Sequence, residues 1–566
     1  MSQSVRPRFT PLPCMSDNSW DPLEFATGRS EWIPVCCCPV EFPLDTFEPA
    51  VSQLIHHPEY NSSLILRSEI IEESDKIPAD GVVPQLQNLR FKRTIHRRLL
   101  PRRPGRDPPI EQNCSFYSPA AKNAALCDAD SAKGGSETPV TCVVLTPRLE
   151  KDAQMPYYHP AVFHIAFRYL SSAARNDAGR ASSKHDQTDA CVRIEVVLQP
   201  DAPDPKDVNS RLYRTCLALL ETVHRYCWGV VVNYRKQAHH DCIISREEYQ
   251  DLYLVMRERY KHLVNQWHEN TDPLKHVYED IGIATFLMLL WKQGTGEASK
   301  SVSDSENVND AGVGEKKPWR DWPRPRGGFL DFGCGNGLLV HILVSEGYAG
   351  EGIDVRARQS WRHYPPETQA HLHVHALNPL DLPISSSESV PVILNPFLKS
   401  GVFIIANHAD ELSPWTPVLA TLSAASGFLS IPCCAWSFDA RFDRAQMSLY
   451  NSGKINRDAP FALTPPDDTE VDVFIESLRL GGMSGDALKS AYAAYRVWLA
   501  CLGIQCGWIA ESEMLRIPST RNWALVGRKR CGDESRSIEN ALAIIQQVRE
   551  RGLFKTRRPE GKAGDH

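Results

Sequence analysis

The chain has 566 residues, 42% of them apolar and 23% charged, with a net charge of −6. That length allows two or three domains with sizeable cores. The mild acidic balance excludes a nucleic-acid signature spread over the whole surface, so any such footprint must be local.

Taken in chain order, 1–70 is rich in Pro and aromatic residues, with a helix-like stretch at 47–57 and a β-rich run at 63–68. Residues 90–106 carry eight Arg or Lys (Arg90, Lys92, Arg93, Arg97, Arg98, Arg102, Arg103, Arg106). Such a run suits an RNA backbone clamp or a solvated segment. Strands are expected at 139–145, 161–170 and 191–198, with the polar stretch 171–190 read as a mobile loop. Helical periodicity follows at 208–224 and 246–269, then in an apolar helix over 281–291 preceded by Thr271-Asp272-Pro273. That helix is about half the length of a membrane span. Residues 293–326, rich in Ser, Gly, Asp and Lys, read as a disordered insertion.

From 327 strands and helices alternate, with strands near 328–332, 350–354, 371–376, 402–407 and 427–433. That is the pattern of a doubly wound α/β sheet. Strand-like segments at 507–516 and 522–530 are joined too briefly for a parallel return, so they pair antiparallel. A helix at 538–550 and a basic tail (Arg551, Lys555, Arg557, Arg558, Lys562) end the chain. The domains expected are 1–205, mixed α+β; 206–292, a helical segment leading into the next domain; the insertion 293–326; 327–531; and 532–566.

Seventeen cysteines include the contiguous Cys36-Cys37-Cys38 and Cys433-Cys434 but no Cys-x-x-Cys pair. They read as reduced, mostly buried thiols of a cytoplasmic protein, with no metal site. His239-His240-Asp241-Cys242 is too compact for zinc and reads as a turn. The N-terminus lacks the apolar core of a signal peptide.

The chemistry concentrates in Phe329-Leu330-Asp331-Phe332-Gly333-Cys334-Gly335-Asn336-Gly337, followed seventeen positions later by Asp354. Alternate glycines let a ligand approach the backbone, and the helix beyond supplies free N–H groups. The acid closing the second strand is placed to bond a ribose diol. An acid just before the loop suits a cationic ligand better than a pyrophosphate, which favours S-adenosylmethionine over NAD.

Further segments make the pattern more specific. They are His276-Val277-Tyr278-Glu279-Asp280-Ile281, Gly352-Ile353-Asp354-Val355-Arg356-Ala357-Arg358, Asn407-His408-Ala409-Asp410-Glu411-Leu412-Ser413-Pro414-Trp415, Ile431-Pro432-Cys433-Cys434 and Leu515-Arg516-Ile517-Pro518-Ser519-Thr520-Arg521-Asn522. Over roughly 190–530 this series resembles the eukaryotic tRNA (uracil-2′-O-)-methyltransferase family, whose fungal members act on uridine 44 of serine tRNA. The resemblance implies a Rossmann-like methyltransferase domain behind a mixed α+β N-terminal region, with S-adenosylmethionine as cofactor and serine tRNA as partner. It leaves room for an accessory RNA-binding protein. Donor binding falls to Asp331, Gly333, Gly335, Gly337 and Asp354, with Asp381 placed near the adenine. A ribose hydroxyl must lose its proton as it attacks; His408 is the expected base, with Asp410 or Glu411 orienting it. No lysine stands at that strand end, as many 2′-O-methyltransferases would have. Cys433-Cys434 is read as packing, and Arg516, Ser519, Thr520, Arg521 and Asn522 as a hairpin tip able to hold ribose-phosphate. The rival readings are an inactive binding subunit on the same scaffold, and a methyltransferase of proteins or small molecules.

Overall fold

The computed structural model describes residues 6–14, 21–27, 30–78, 81–120, 138–149, 154–171, 190–200, 202–234, 240–294, 317–382, 384–385, 392–393, 395–438, 440–442 and 490–555. Most of the expected mobile loop (172–189), 295–316 of the expected insertion and 556–566 of the tail lie outside these residues. Two compact units divide the chain, Met1–Arg235 and Lys236–His566.

In the first unit eight strands pair antiparallel: β1 (Leu12–Pro13), β2 (Ile33–Pro39), β3 (Ile65–Ser74), β4 (Leu89–Pro101), β5 (Ile110–Pro119), β6 (Cys142–Arg148), β7 (Val162–Ser171) and β8 (Ala190–Leu198). Their order is β1-β2-β8-β7-β6-β5-β4-β3. Alternate residues of β5 to β8, such as Phe116, Val143, Phe167 and Ile194, face helices α1 (Phe47–His56) and α2 (Arg211–Val231). Ser210 caps α2 by accepting from the Tyr213 N–H at 3.1 Å.

Helix α2 buries Leu212, Cys216, Leu220, Val223 and Cys227 in that core. It therefore belongs to the first unit, not to the 206–292 segment expected from sequence. Periodicity shows that a helix has an apolar stripe but not which sheet the stripe covers. Three arginines of the basic run are likewise built into the sheet. Arg97 is buried with its guanidinium on Gln112 (Nε to Oε1, 3.0 Å), Arg93 pairs with Glu48 at 3.0 Å and lies over Phe116, and Arg98 pairs with Glu111 at 2.7 Å. These three arginines hold strands and helix together rather than standing ready for RNA.

The second unit comprises α3 (Arg246–Tyr260), α4 (Pro273–Lys292), β9 (Phe329–Phe332), α5 (Leu338–Ser345), β10 (Gly350–Asp354), α6 (Pro366–Gln369), β11 (Leu372–Val374), the small pair β12 (Ile384–Ser385) and β13 (Val392–Ile393), β14 (Phe403–Asn407), α7 (Trp415–Leu422), β15 (Gly427–Ile431), α8 (Ala491–Gln505), β16 (Glu511–Met514), β17 (Trp523–Gly527) and α9 (Glu534–Arg551). Its main sheet has the order β11-β10-β9-β14-β15-β17-β16. The first five strands run parallel, and β17 is antiparallel to both its neighbours, so the expected closing hairpin is present.

Both faces are covered. Phe329, Phe403, Ile405 and Leu429 pack on α4 and α5, while Leu330, Ile404, Ala406 and Phe428 pack on α7, α8 and α9. Strands buried on both sides are near-continuously apolar, as these are. Strand order reverses direction between β9 and β14, which leaves a crevice at the carboxyl ends of the two strands.

Part of the expected insertion is packed structure. Trp319 is buried and donates to Glu346 at 2.9 Å, and Lys317 pairs with the same carboxylate at 2.9 Å. Glu346 also receives Arg259 Nε at 2.9 Å and the Tyr260 hydroxyl at 2.6 Å. Burial alone would raise its pKa, but these donors outweigh burial and hold it below the usual glutamate value. Glu346→Gln should therefore destabilise the chain by about 3 kcal/mol at neutral pH in urea titration, because it breaks a buried ion pair. Wild type should lose that advantage as pH falls through the acid range, since a depressed folded-state pKa stabilises only above the unfolded value. Equal midpoints at neutral pH for wild type and variant would sink this account.

Candidate donor and methyl-transfer site

The site grows from the carboxyl ends of β9, β10 and β14, where register sets Asp331 between Gly352 and Ile405. Beyond β9 the chain turns through Gly333, Gly335 and Gly337, with φ of 67°, 53° and 76°. The glycines have different jobs. A Cβ on Gly333 or Gly335 would meet nothing closer than 3.8 Å, so this part of the loop faces open space. A Cβ on Gly337 would lie 2.9 Å from Leu372, so that glycine permits close packing.

Side chains pin the loop. Asp354 Oδ2 accepts from the Gly335 N–H at 3.0 Å, Trp361 Nε1 donates to the Gly335 carbonyl at 2.8 Å, and Asn336 Oδ1 accepts from Leu338 N at the start of α5 at 2.8 Å. The other oxygen of Asp354 accepts from Arg356 N at 3.2 Å. Glu411 and Leu412 line a cleft with Gly333, Asp354, Leu377 and Phe554.

Asp331 is buried, and its Oδ1 has no hydrogen-bond partner among the described residues. Burial, with repulsion from Asp280 and Asp354, raises its pKa well above the usual aspartate value. Helix α4 supplies two more buried acids, Glu279 and Asp280. Burial and Glu279 push Asp280 up to about 7. Asn407 Oδ1, at the end of β14, also lacks a partner among the described residues. Leaving a buried acceptor unpaired costs about 1–3 kcal/mol. Several such atoms at one sheet edge describe a pocket built for a cation. An ammonium and a sulfonium fit it; a pyrophosphate does not.

His408 stands at the end of β14 with φ of 55°. Its Nε2 lies 3.5 Å from Glu279 Oε1. Burial would lower its pKa, but the neighbouring Cys433 and Glu279 outweigh burial and raise it to about 10. The expected base is thus an imidazolium at neutral pH, with no lone pair to take a proton. Asp410 and Glu411 occupy the short turn after it and are half-buried. Asp381 is not brought to the cleft: it is exposed and closes a turn with Asn378.

Cys433 and Cys434 are half-buried rather than packed away. The hairpin tip is tied down, with Arg516 on Asp241, Arg521 Nη1 donating to the Cys433 carbonyl at 2.7 Å, and Asn522 on the Leu515 carbonyl. Asp241 thus serves the second unit's own packing, in keeping with a turn at that position. Sequence reasoning quoted Glu279 and Asp280 without giving them a role. The signal was present as two adjacent acids inside an otherwise apolar helix.

Comparison with known proteins agrees with this geometry. Residues 243–315 and 323–379 match the family "Predicted AdoMet-dependent methyltransferase", which makes S-adenosylmethionine the expected methyl donor. Residues 11–237 match "TRM44-like, N-terminal bet v1-like domain". Three fungal proteins, each called tRNA (uracil-O(2)-)-methyltransferase, align over most of their length. That of Schizosaccharomyces pombe is 32% identical over 86% of this chain and 83% of its own. The Neurospora crassa protein is 31% identical over 94% and 93%, and the Saccharomyces cerevisiae protein 26% over 86% and 85%. No solved structure gives a significant match. The second unit is of the S-adenosylmethionine-dependent methyltransferase class. The chain as a whole belongs to the tRNA (uracil-O(2)-)-methyltransferase family.

Two outcomes follow for donor binding by calorimetry. Asp331→Asn should abolish it yet raise the melting temperature, because an acid whose folded-state pKa is raised destabilises the fold at every pH above its unfolded value. A variant that melts no higher, or still binds, contradicts this reading. Wild-type affinity should fall as pH drops through about 7, where Asp280 takes up a proton. The groups facing Asp280 are Glu279, Asp331, Tyr364 and His408. Affinity flat between pH 6 and pH 8, a window set by that value, would remove Asp280 from the pocket.

Proposed function

We propose that the chain transfers a methyl group from S-adenosylmethionine to the ribose 2′-hydroxyl of a uridine in tRNA, and that the nucleotide is uridine 44 of serine tRNA. The observation that carries the donor half is the buried acidic pocket of Asp331, Glu279 and Asp280 beside an open glycine loop. Family membership carries the acceptor half. Five parallel strands closed by an antiparallel pair support a Rossmann-like assignment for the domain.

The donor supplies an electrophilic methyl on a sulfonium. In this reading Asp331 and Asp280 hold its ammonium, with Gly333 and Gly335 against its backbone. Asp354, which accepts from Gly335 N and Arg356 N, would also accept from the ribose diol. Ile353, Val355, Leu377 and Phe554 take the adenine, in place of Asp381. His408, as an imidazolium, fixes an anionic or oxygen-rich part of the acceptor, and Asp410 and Glu411 flank it. A cytoplasmic setting is in keeping with the free thiols of all the described cysteines.

Mass spectrometry of nucleosides from tRNA of a deletion strain should show loss of 2′-O-methyluridine, restored by the wild-type gene. Unchanged 2′-O-methyluridine would return the chain to a binding subunit or to protein and small-molecule substrates. His408→Ala should lose turnover on tRNA by roughly 100-fold or more while donor affinity is kept. Near-normal turnover would remove His408 from the acceptor side.

A further inference from the structure

Strands β14 and β15 are paired to their last residues, Asn407 beside Ile431. Two to three residues past these strand ends, the chain brings Asp410 to Cys433 and Cys434. One carboxylate oxygen and the two sulfurs all lie within 4.8 Å of one another. The two Sγ atoms are 3.7 Å apart. Two thiolates on one tetrahedral zinc, each bonded at about 2.3 Å, stand about 3.8 Å apart.

The surrounding structure fixes this arrangement. Tyr492 donates to the Pro432 carbonyl at 2.9 Å and Arg521 to the Cys433 carbonyl at 2.7 Å, so the backbone of the cysteine pair is held from two sides. On the other side Asp410 has φ of 45°, a left-handed conformation that turns the chain sharply after His408. Aspartate tolerates that conformation better than most residues.

We propose that Asp410, Cys433 and Cys434 bind a zinc ion at the carboxyl edge of the sheet. Two thiolates and one carboxylate suit a borderline-soft divalent cation and do not suit Mg²⁺ or Ca²⁺. Three protein ligands leave a fourth corner for water or another oxygen. The site ties the turn after β14 to the end of β15, and so sets where His408 and Glu411 stand. The packing reading of the cysteine pair explains neither their partial exposure nor the carboxylate beside them.

Full-length protein purified without chelator is analysed by elemental mass spectrometry. The expected result is one zinc per chain, lost in Cys433→Ser and in Cys434→Ser, with donor binding by calorimetry retained in both. Because metal content and donor binding are read apart from methyl transfer, failure here is distinct from failure of the tRNA reading. Where a serine variant does not fold, Asp410→Asn and cobalt substitution of chelated wild type take its place. Cobalt should give an intense near-ultraviolet thiolate charge-transfer band in wild type and a weaker affinity in Asp410→Asn. The proposal is overturned if wild type holds no zinc and gives no cobalt band, or if zinc persists in both serine variants. Recovery of the two cysteines as a disulfide in metal-free protein overturns it as well.

Discussion

Everything in the second unit is arranged around carboxylates buried at the end of a parallel sheet. Asp331, Asp280 and Glu279 sit where burial disfavours their charge, with Glu279 repelling Asp280, and Asp280 and Asp354 repelling Asp331. Among the described residues, His408 is the cation close enough to pair with one of them, and it pairs with Glu279. A fold selected for stability alone would replace such acids with apolar groups of similar volume. Their retention makes sense as stored affinity: the cost of burying them is relieved when a cationic ligand arrives.

That constraint explains the surrounding architecture. Buried acids need rigid supports, or they would swing out to water. Asp331 is locked by pairing on both sides of β9, and Glu279 and Asp280 by the burial of α4. Gly282 in that helix admits Ile517 and the Tyr249 hydroxyl so closely that a Cβ there would lie 2.8 Å from Ile517. The hairpin-side residues 515–522 are thereby pressed against the helix that carries the acids. Their polar side chains largely hold the protein to itself, which is why RNA contact is not the first duty of Arg516 or Arg521.

Buried charges do two different jobs in this chain. In the first unit, Glu195 is fully buried yet satisfied by Arg193 at 2.9 Å, Arg168 at 2.7 Å and the Leu23 N–H at 2.7 Å. Its neighbours complete it, so it serves folding. In the second unit, Asp331 Oδ1 and Asn407 Oδ1 stay unpaired among the described residues. A satisfied buried charge marks structure, and an unsatisfied one marks a place for a ligand.

Local pattern was enough for part of this. The strand–glycine–helix unit with Asp331 and Asp354, the parallel strands and the closing hairpin all depend on short-range periodicity and turn chemistry, so they were legible in order. The same holds for the segments that point to the family. What crosses the sheet was not legible. Three decisions belong to the tertiary structure: that α2 serves the first unit, that Arg93, Arg97 and Arg98 of the basic run are taken up by Glu48, Gln112 and Glu111, and that His408 meets Glu279 from a helix 129 positions earlier. The charge state of a histidine depends on such neighbours, and sequence reasoning could give it only its unperturbed value. The amino-acid order alone determined which residue types stand at the strand ends. Their protonation, and which of them touch, was decided only when packing brought distant segments into one desolvated edge.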